Sequence, residues 1–151
     1  MQIKLATALL AKRKSRDKLL LVSDASSQSL PSDSDLTRVI AAGCLGNHGR
    51  RKFADLQHNY PKECGLFLDL ISSIYKNEAA CKEQSKEQRL KYHQQYSQPL
   101  VDQIYNYINE LFANKVVEPN SDLGKAMNYS LNHKLALTAF LRIAGCPIDN
   151  N

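Results

Sequence analysis

Pro99-Leu100-Val101-Asp102-Gln103-Ile104-Tyr105-Asn106-Tyr107-Ile108-Asn109-Glu110-Leu111-Phe112 carries the clearest periodicity in the chain. Leu100, Val101, Ile104, Tyr105, Ile108, Leu111 and Phe112 recur at steps of three and four, so an α-helix gathers them into one apolar stripe. Pro99 predicts a break from the helix before it, and Ser97 a cap for the new one. Upstream, Leu66, Phe67, Leu70, Ile71, Ile74 and Tyr75 repeat in the same way. Ser85-Lys86-Glu87-Gln88 has the S-x-x-Q form of a capping box and starts another helix. Downstream, Pro119-Asn120-Ser121 reads as a loop and N-cap. Leu123, Met127 and Leu131 then lead into Leu135, Leu137, Phe140 and Leu141, with Gly145 and Pro147 ending the last helix. From about residue 60 onward the sequence predicts an all-α layer.

The first third reads differently. Residues 3–14 set Ile3, Leu5, Ala6, Leu9 and Leu10 on one helical face, followed by Lys12, Arg13, Lys14 and Arg16. Leu19-Leu20-Leu21-Val22 is a short unbroken apolar run, too short for a helix, and predicts a buried strand. Ser26 to Asp35 is a loop rich in Ser, Asp and Pro. Val39-Ile40-Ala41-Ala42-Gly43-Cys44 predicts a second strand. After Gly46 a helical reading runs to about Asn59, and Pro61 restarts it. The expected fold class is therefore α+β, predominantly α. Two strands cannot make an independent sheet of any size. That imbalance, with the ending Pro147-Ile148-Asp149-Asn150-Asn151, predicts the middle of a longer protein.

The 151 residues, 43 % of them hydrophobic and 23 % charged, suffice for an ordinary packed domain and argue against global disorder. Twenty Lys and Arg against 15 Asp and Glu give a net charge of +5, which suits a nucleic-acid partner without requiring one. Cys44, Cys64, Cys81 and Cys146 are widely spaced and form no C-x-x-C pair. No secretory signal and no apolar run of membrane-spanning length is present. These features predict a cytoplasmic protein with free thiols.

Three constellations bear on chemistry. Asp24 follows the first predicted strand, at the sheet edge where α/β enzymes gather catalytic groups; Asp is also a common turn former there. Cys44, His48, His58 and Cys64 match none of the common structural-zinc spacings, so buried thiols and hydrogen-bonded histidines are expected. Gly49-Arg50-Arg51-Lys52-Phe53 places three cations beside an aromatic at a helix start. This is the best candidate for a phosphate contact, against a plain solvated face with Phe53 turned inward. The tyrosines between Tyr92 and Tyr107 do not line one face and read as helix packing. No Gly-rich phosphate loop, G-x-S-x-G or recognisable Ser/His/Asp set occurs.

Several stretches together resemble one family. These are Asp24-Ala25-Ser26-Ser27, Cys44-Leu45-Gly46-Asn47-His48-Gly49-Arg50-Arg51-Lys52-Phe53 and Tyr60-Pro61-Lys62-Glu63-Cys64. They continue in Arg89-Leu90-Lys91-Tyr92-His93-Gln94, Ser97-Gln98-Pro99-Leu100, Glu118-Pro119-Asn120-Ser121-Asp122-Leu123-Gly124-Lys125-Ala126 and the Pro-Ile-Asp-Asn-Asn ending. In this order they resemble the central transposase domain of the bacterial insertion-sequence 66 family.

The resemblance implies an RNase-H-like core whose Asp, Asp and Glu hold two divalent ions, normally Mg²⁺, with a helical insertion before the Glu. It makes Asp24 the second of those carboxylates, catalytic and metal-binding. It implies residues 1–59 as a partial RNase-H-like segment with two strands, 60–146 as the helical insertion, and 147–151 as the start of a return to the core. The family usually reads Cys-x-x-His before Arg-Arg-Lys-Phe, whereas this chain has Cys-x-x-x-His, which shifts the register of His48. On this reading the first Asp and the Glu are missing and the chain is inactive alone, with DNA at transposon ends as its partner. Full-length transposase and other element-encoded proteins are further partners in this reading, and no membrane is involved. The alternative is a non-catalytic helical module that binds DNA through Arg50, Arg51 and Lys52, or binds protein.

Overall fold

The computed structural model describes residues 19–22, 39–42 and 49–148. Strands β1 (Leu19–Val22) and β2 (Val39–Ala42) fall where the two apolar runs predict them. They pair in parallel, with Leu19 opposite Val39 and Val22 opposite Ala42. Parallel neighbours need a crossover rather than a tight hairpin, and the chain between them is long enough to supply one. Among the described residues these two strands are the whole sheet. Two four-residue strands are too little to constitute an RNase-H-like core, so that part of the expected fold is not supported. The molecule is predominantly helical.

The helices are α1 (Arg50–Ala54), α2 (Pro61–Cys81), α3 (Lys86–Tyr96), α4 (Gln98–Ala113), α5 (Asp122–Asn132) and α6 (Lys134–Leu137), followed by a 3₁₀ turn at Ala139–Leu141. Instead of continuing to Asn59, the first helix stops at Ala54, and a series of turns joins it to Pro61 in the first turn of α2. Pro is well placed there, because that N–H has no helical partner. The stripe on α4 is as expected, with Val101, Ile104, Tyr105, Ile108 and Leu111 buried. On α2, Phe67, Leu70, Ile71 and Ile74 turn inward, while Leu66 is 41 % exposed and lies off the stripe.

Local chemistry sets the boundaries. Ser85 caps α3 in a full capping box: Gln88 N–H donates to Ser85 Oγ and Ser85 N–H to Gln88 Oε1, both at 3.2 Å. Ser121 Oγ accepts from Gly124 N at 3.0 Å and starts α5. Gly124 itself is required by close approach. A Cβ there would lie 2.2 Å from the Glu118 carbonyl oxygen and 2.7 Å from that of Pro119. Ser97 does not cap α4 with its side chain; its backbone is helical and its hydroxyl is committed elsewhere.

The final predicted helix is broken into short pieces. Thr138 Oγ1 donates to Lys134 O at 2.6 Å, and Arg142 donates to Thr138 O and Leu135 O at 3.2 and 2.6 Å. Lys134 O keeps its helical bond from Thr138 N–H as well, whereas the Leu135 carbonyl is taken by Arg142. The break re-phases the stripe, leaving Leu135 78 % exposed.

One hydrophobic core runs from Phe53 to Ile148. Phe67 stacks on Phe53 with centroids 4.4 Å apart and meets Tyr107 at 5.2 Å. Among the described residues no helix is long and apolar enough to cross a membrane.

Candidate functional site

Two polar constellations stand out, one exposed and one buried. The exposed one is α1. Phe53 is its one buried residue and pins the helix to α2, while Arg50, Arg51 and Lys52 are exposed. Arg51 and Lys52 occupy the last turn, where cations complement the helix dipole. Lys52 reaches toward α5, and its Nζ lies 4.2 Å from the centroid of the Tyr129 ring. Among the described residues neither Arg50 nor Arg51 forms an ion pair.

The buried constellation joins α2 to α3. Asn77, Glu78 and Cys81 share a face of α2; Arg89, His93 and Ser97 recur every four residues along α3 and its end. Asn77 Nδ2 donates to Ser97 Oγ at 3.1 Å, and Ser97 Oγ lies 2.7 Å from His93 Nδ1. His93 Nε2 is 2.5 Å from Glu78 Oε2, and Arg89 Nη2 donates to Glu78 Oε1 at 2.7 Å.

The bonding pattern closes if Ser97 donates its proton to Nδ1 and His93 Nε2–H donates to Glu78, an assignment made from the network. The His93 hydrogen bond, helped by Arg89, holds the Glu78 carboxyl below its usual pKa against the opposing effect of burial. Phe140 meets the His93 ring edge-on at 5.2 Å, and Gln94 Nε2 donates to Leu141 O at 3.1 Å, so the 3₁₀ turn is tied to the same face.

Glu78, Cys81 and His93 also form a group whose ligand atoms lie within 4.8 Å of one another. Burial, then the Glu78 charge, pushes the Cys81 thiol pKa up, and the thiol donates to the Glu78 carbonyl at 3.6 Å. A guanidinium sits 2.7 Å from the same carboxylate. Both carboxylate oxygens are occupied and a fixed positive charge opposes a second cation, so the set acts as a structural lock. Its thiol and imidazole also do not suit Mg²⁺, which prefers oxygen ligands.

Asp24, Cys44 and His48 lie outside the described residues. Of the four Cys and His residues considered for zinc, His58 is exposed and Cys64 is buried in the core, where burial and then Glu63 push its thiol to about 11. The buried lock was missed. Its signal is Arg89, His93 and Ser97 at a four-residue period, but only the folded hairpin shows that Glu78 faces them.

This arrangement defines a helical protein with a hydrogen-bonded polar cluster between two helices and an outward cationic helix. The model of the transposase IS66 family matches residues 28–151, and the chain belongs to that family. It is also 31 % identical over 111 residues to the uncharacterized protein y4jD of Sinorhizobium fredii, an alignment covering 73 % of this chain and 21 % of that protein. The chain thus spans about a fifth of that relative's length. No solved structure matches the chain.

Proposed function

We propose that this chain supplies a helical, DNA-gripping part of a DDE-type transposase. The observation that carries this reading is the cationic face of α1, three exposed side chains on a helix pinned by Phe53, in a chain of the transposase family. Cations presented this way suit the sugar-phosphate backbone, which supplies most non-specific affinity for DNA. Transposon ends are the DNA in question, with full-length transposase as a further partner. The same face equally suits a non-catalytic DNA-binding module.

In the DDE reading Asp24 contributes one carboxylate toward Mg²⁺, a hard ion that favours such oxygens. Bound Mg²⁺ would activate the attacking oxygen and stabilise the leaving one. In either reading the chain is expected to bind DNA through the α1 cations.

The test is binding of the full chain to labelled duplex DNA over a range of salt concentrations. The proposal expects affinity that falls steeply with salt and is largely lost in Arg50→Ala/Arg51→Ala/Lys52→Ala. Absent or salt-independent binding contradicts it. Mg²⁺-dependent nicking that is abolished by Asp24→Ala would favour the DDE reading over the non-catalytic module.

A further inference from the structure

The cations of α1 do not stand by themselves. Leu123, Ala126, Met127 and Ser130 are buried on one side of α5. Lys125, Tyr129 and His133 recur every four residues on another side, with Lys125 exposed and the two rings half-buried. Lys52 bridges the two helices by placing its ammonium over Tyr129, and His133 packs against the same ring with centroids 4.6 Å apart. A lysine side chain at a surface normally samples many rotamers. The negative face of an aromatic ring holds the ammonium in one place without consuming its N–H donors. Tyr129 is already engaged by Lys52 and His133, which favours a phosphate contact over base stacking. The exposed acids along these helices, Asp55 after α1 and Asp122 at the start of α5, bound the cationic stretch on each.

We propose that α5 forms the second half of the DNA-contacting face: Lys125 is a further phosphate contact, and Tyr129 is a positioning residue that holds Lys52 for another. The backbone of duplex DNA then runs across both α1 and α5. This inference rests on the DNA-binding reading above.

The experiment measures binding of the full chain to a fluorescent duplex of arbitrary sequence between roughly 50 and 200 mM salt. Lys125→Gln and Tyr129→Leu should each lower the slope of log affinity against log salt by about 0.9, one phosphate contact each. Tyr129→Phe keeps the ring and should retain the wild-type slope. Independently of DNA, NMR should show the Lys52 ε-methylene shifted upfield in wild type and Tyr129→Phe, and the shift should vanish in Tyr129→Leu. Wild-type slopes for Lys125→Gln and Tyr129→Leu, with Arg50→Ala/Arg51→Ala still weakening binding, would overturn the inference and leave the DNA reading intact. An unshifted Lys52 resonance in wild type would overturn the role of Tyr129. No salt-dependent binding by wild type would overturn both readings. Lys125 is exposed, so its variant tests the track even if Tyr129→Leu folds poorly.

Discussion

Arg89 on α3 and Arg51 on α1 belong to the same helical layer, yet their charges are used in opposite ways. Arg89 turns into the α2–α3 interface, donates to Glu78 at 2.7 Å and keeps only 26 % of its side chain exposed. Its Nε is buried without a partner, so a single guanidinium nitrogen carries the pair. Arg51 is exposed beside Arg50 and Lys52 and has no ion pair among the described residues. The net charge of +5 therefore says little by itself. A cation locked to an internal carboxylate fixes the angle between two helices; a cation on α1 is available to a phosphate.

The largest expected effect separates the anchor of α1 from its charges. Phe53 is 2 % exposed and stacks on Phe67. Phe53→Ala should cost about 3–5 kcal/mol in denaturant unfolding and release α1 from the layer. An unchanged unfolding midpoint would mean that α1 is not docked through this ring.

Next comes the lock. Glu78→Ala strips His93 and Arg89 of their acceptor and should cost about 2–3 kcal/mol. That lies below the range for fully buried pairs, because 23 % of the Glu78 side chain stays exposed. In a double-mutant cycle with His93→Leu the two losses should be strongly non-additive. Additive losses would show that the pair is not coupled.

Gly124→Ala should follow at about 1–3 kcal/mol, since its Cβ would meet the backbone at Glu118 and Pro119, which must move. Near-wild-type thermal stability would mean that the loop yields freely.

The smallest effect concerns Cys64, fully buried with its thiol pushed up to about 11. A raised pKa keeps the group as the unreactive thiol at pH 8. Its modification by a thiol reagent should therefore be slow in the folded chain and fast on unfolding. Rapid labelling of the native protein would place Cys64 in a loosely packed site.

Periodic apolar residues made much of the fold legible. Ile104, Tyr105 and Ile108 sit where their spacing puts them, as do the caps at Ser85 and Ser121. Errors arose where polar side chains overrule periodicity. Ser97 sits where a cap is expected, but its hydroxyl serves Asn77 and His93 instead. Leu135 fits an apolar stripe until the helix ends at Leu137, where Arg142 takes the Leu135 carbonyl. The cations of the candidate site were readable because a helix start exposes consecutive charges. Tyr129 was not, because its contact with Lys52 joins helices far apart in sequence. Asp24 is assigned by family resemblance and lies outside the described residues.

The most direct measurement compares two triple variants of the full chain in the same salt titration of DNA affinity. One carries Arg50→Ala, Arg51→Ala and Lys52→Ala; the other carries Lys82→Ala, Lys86→Ala and Lys91→Ala, removing equal charge from exposed positions around α3. The α1 triple should lower the slope by about 2.7, three contacts at about 0.9 each, and the α3 triple should leave it at the wild-type value. Equal losses in both would contradict the account, since DNA would then be sensing overall charge rather than the face that α1 presents.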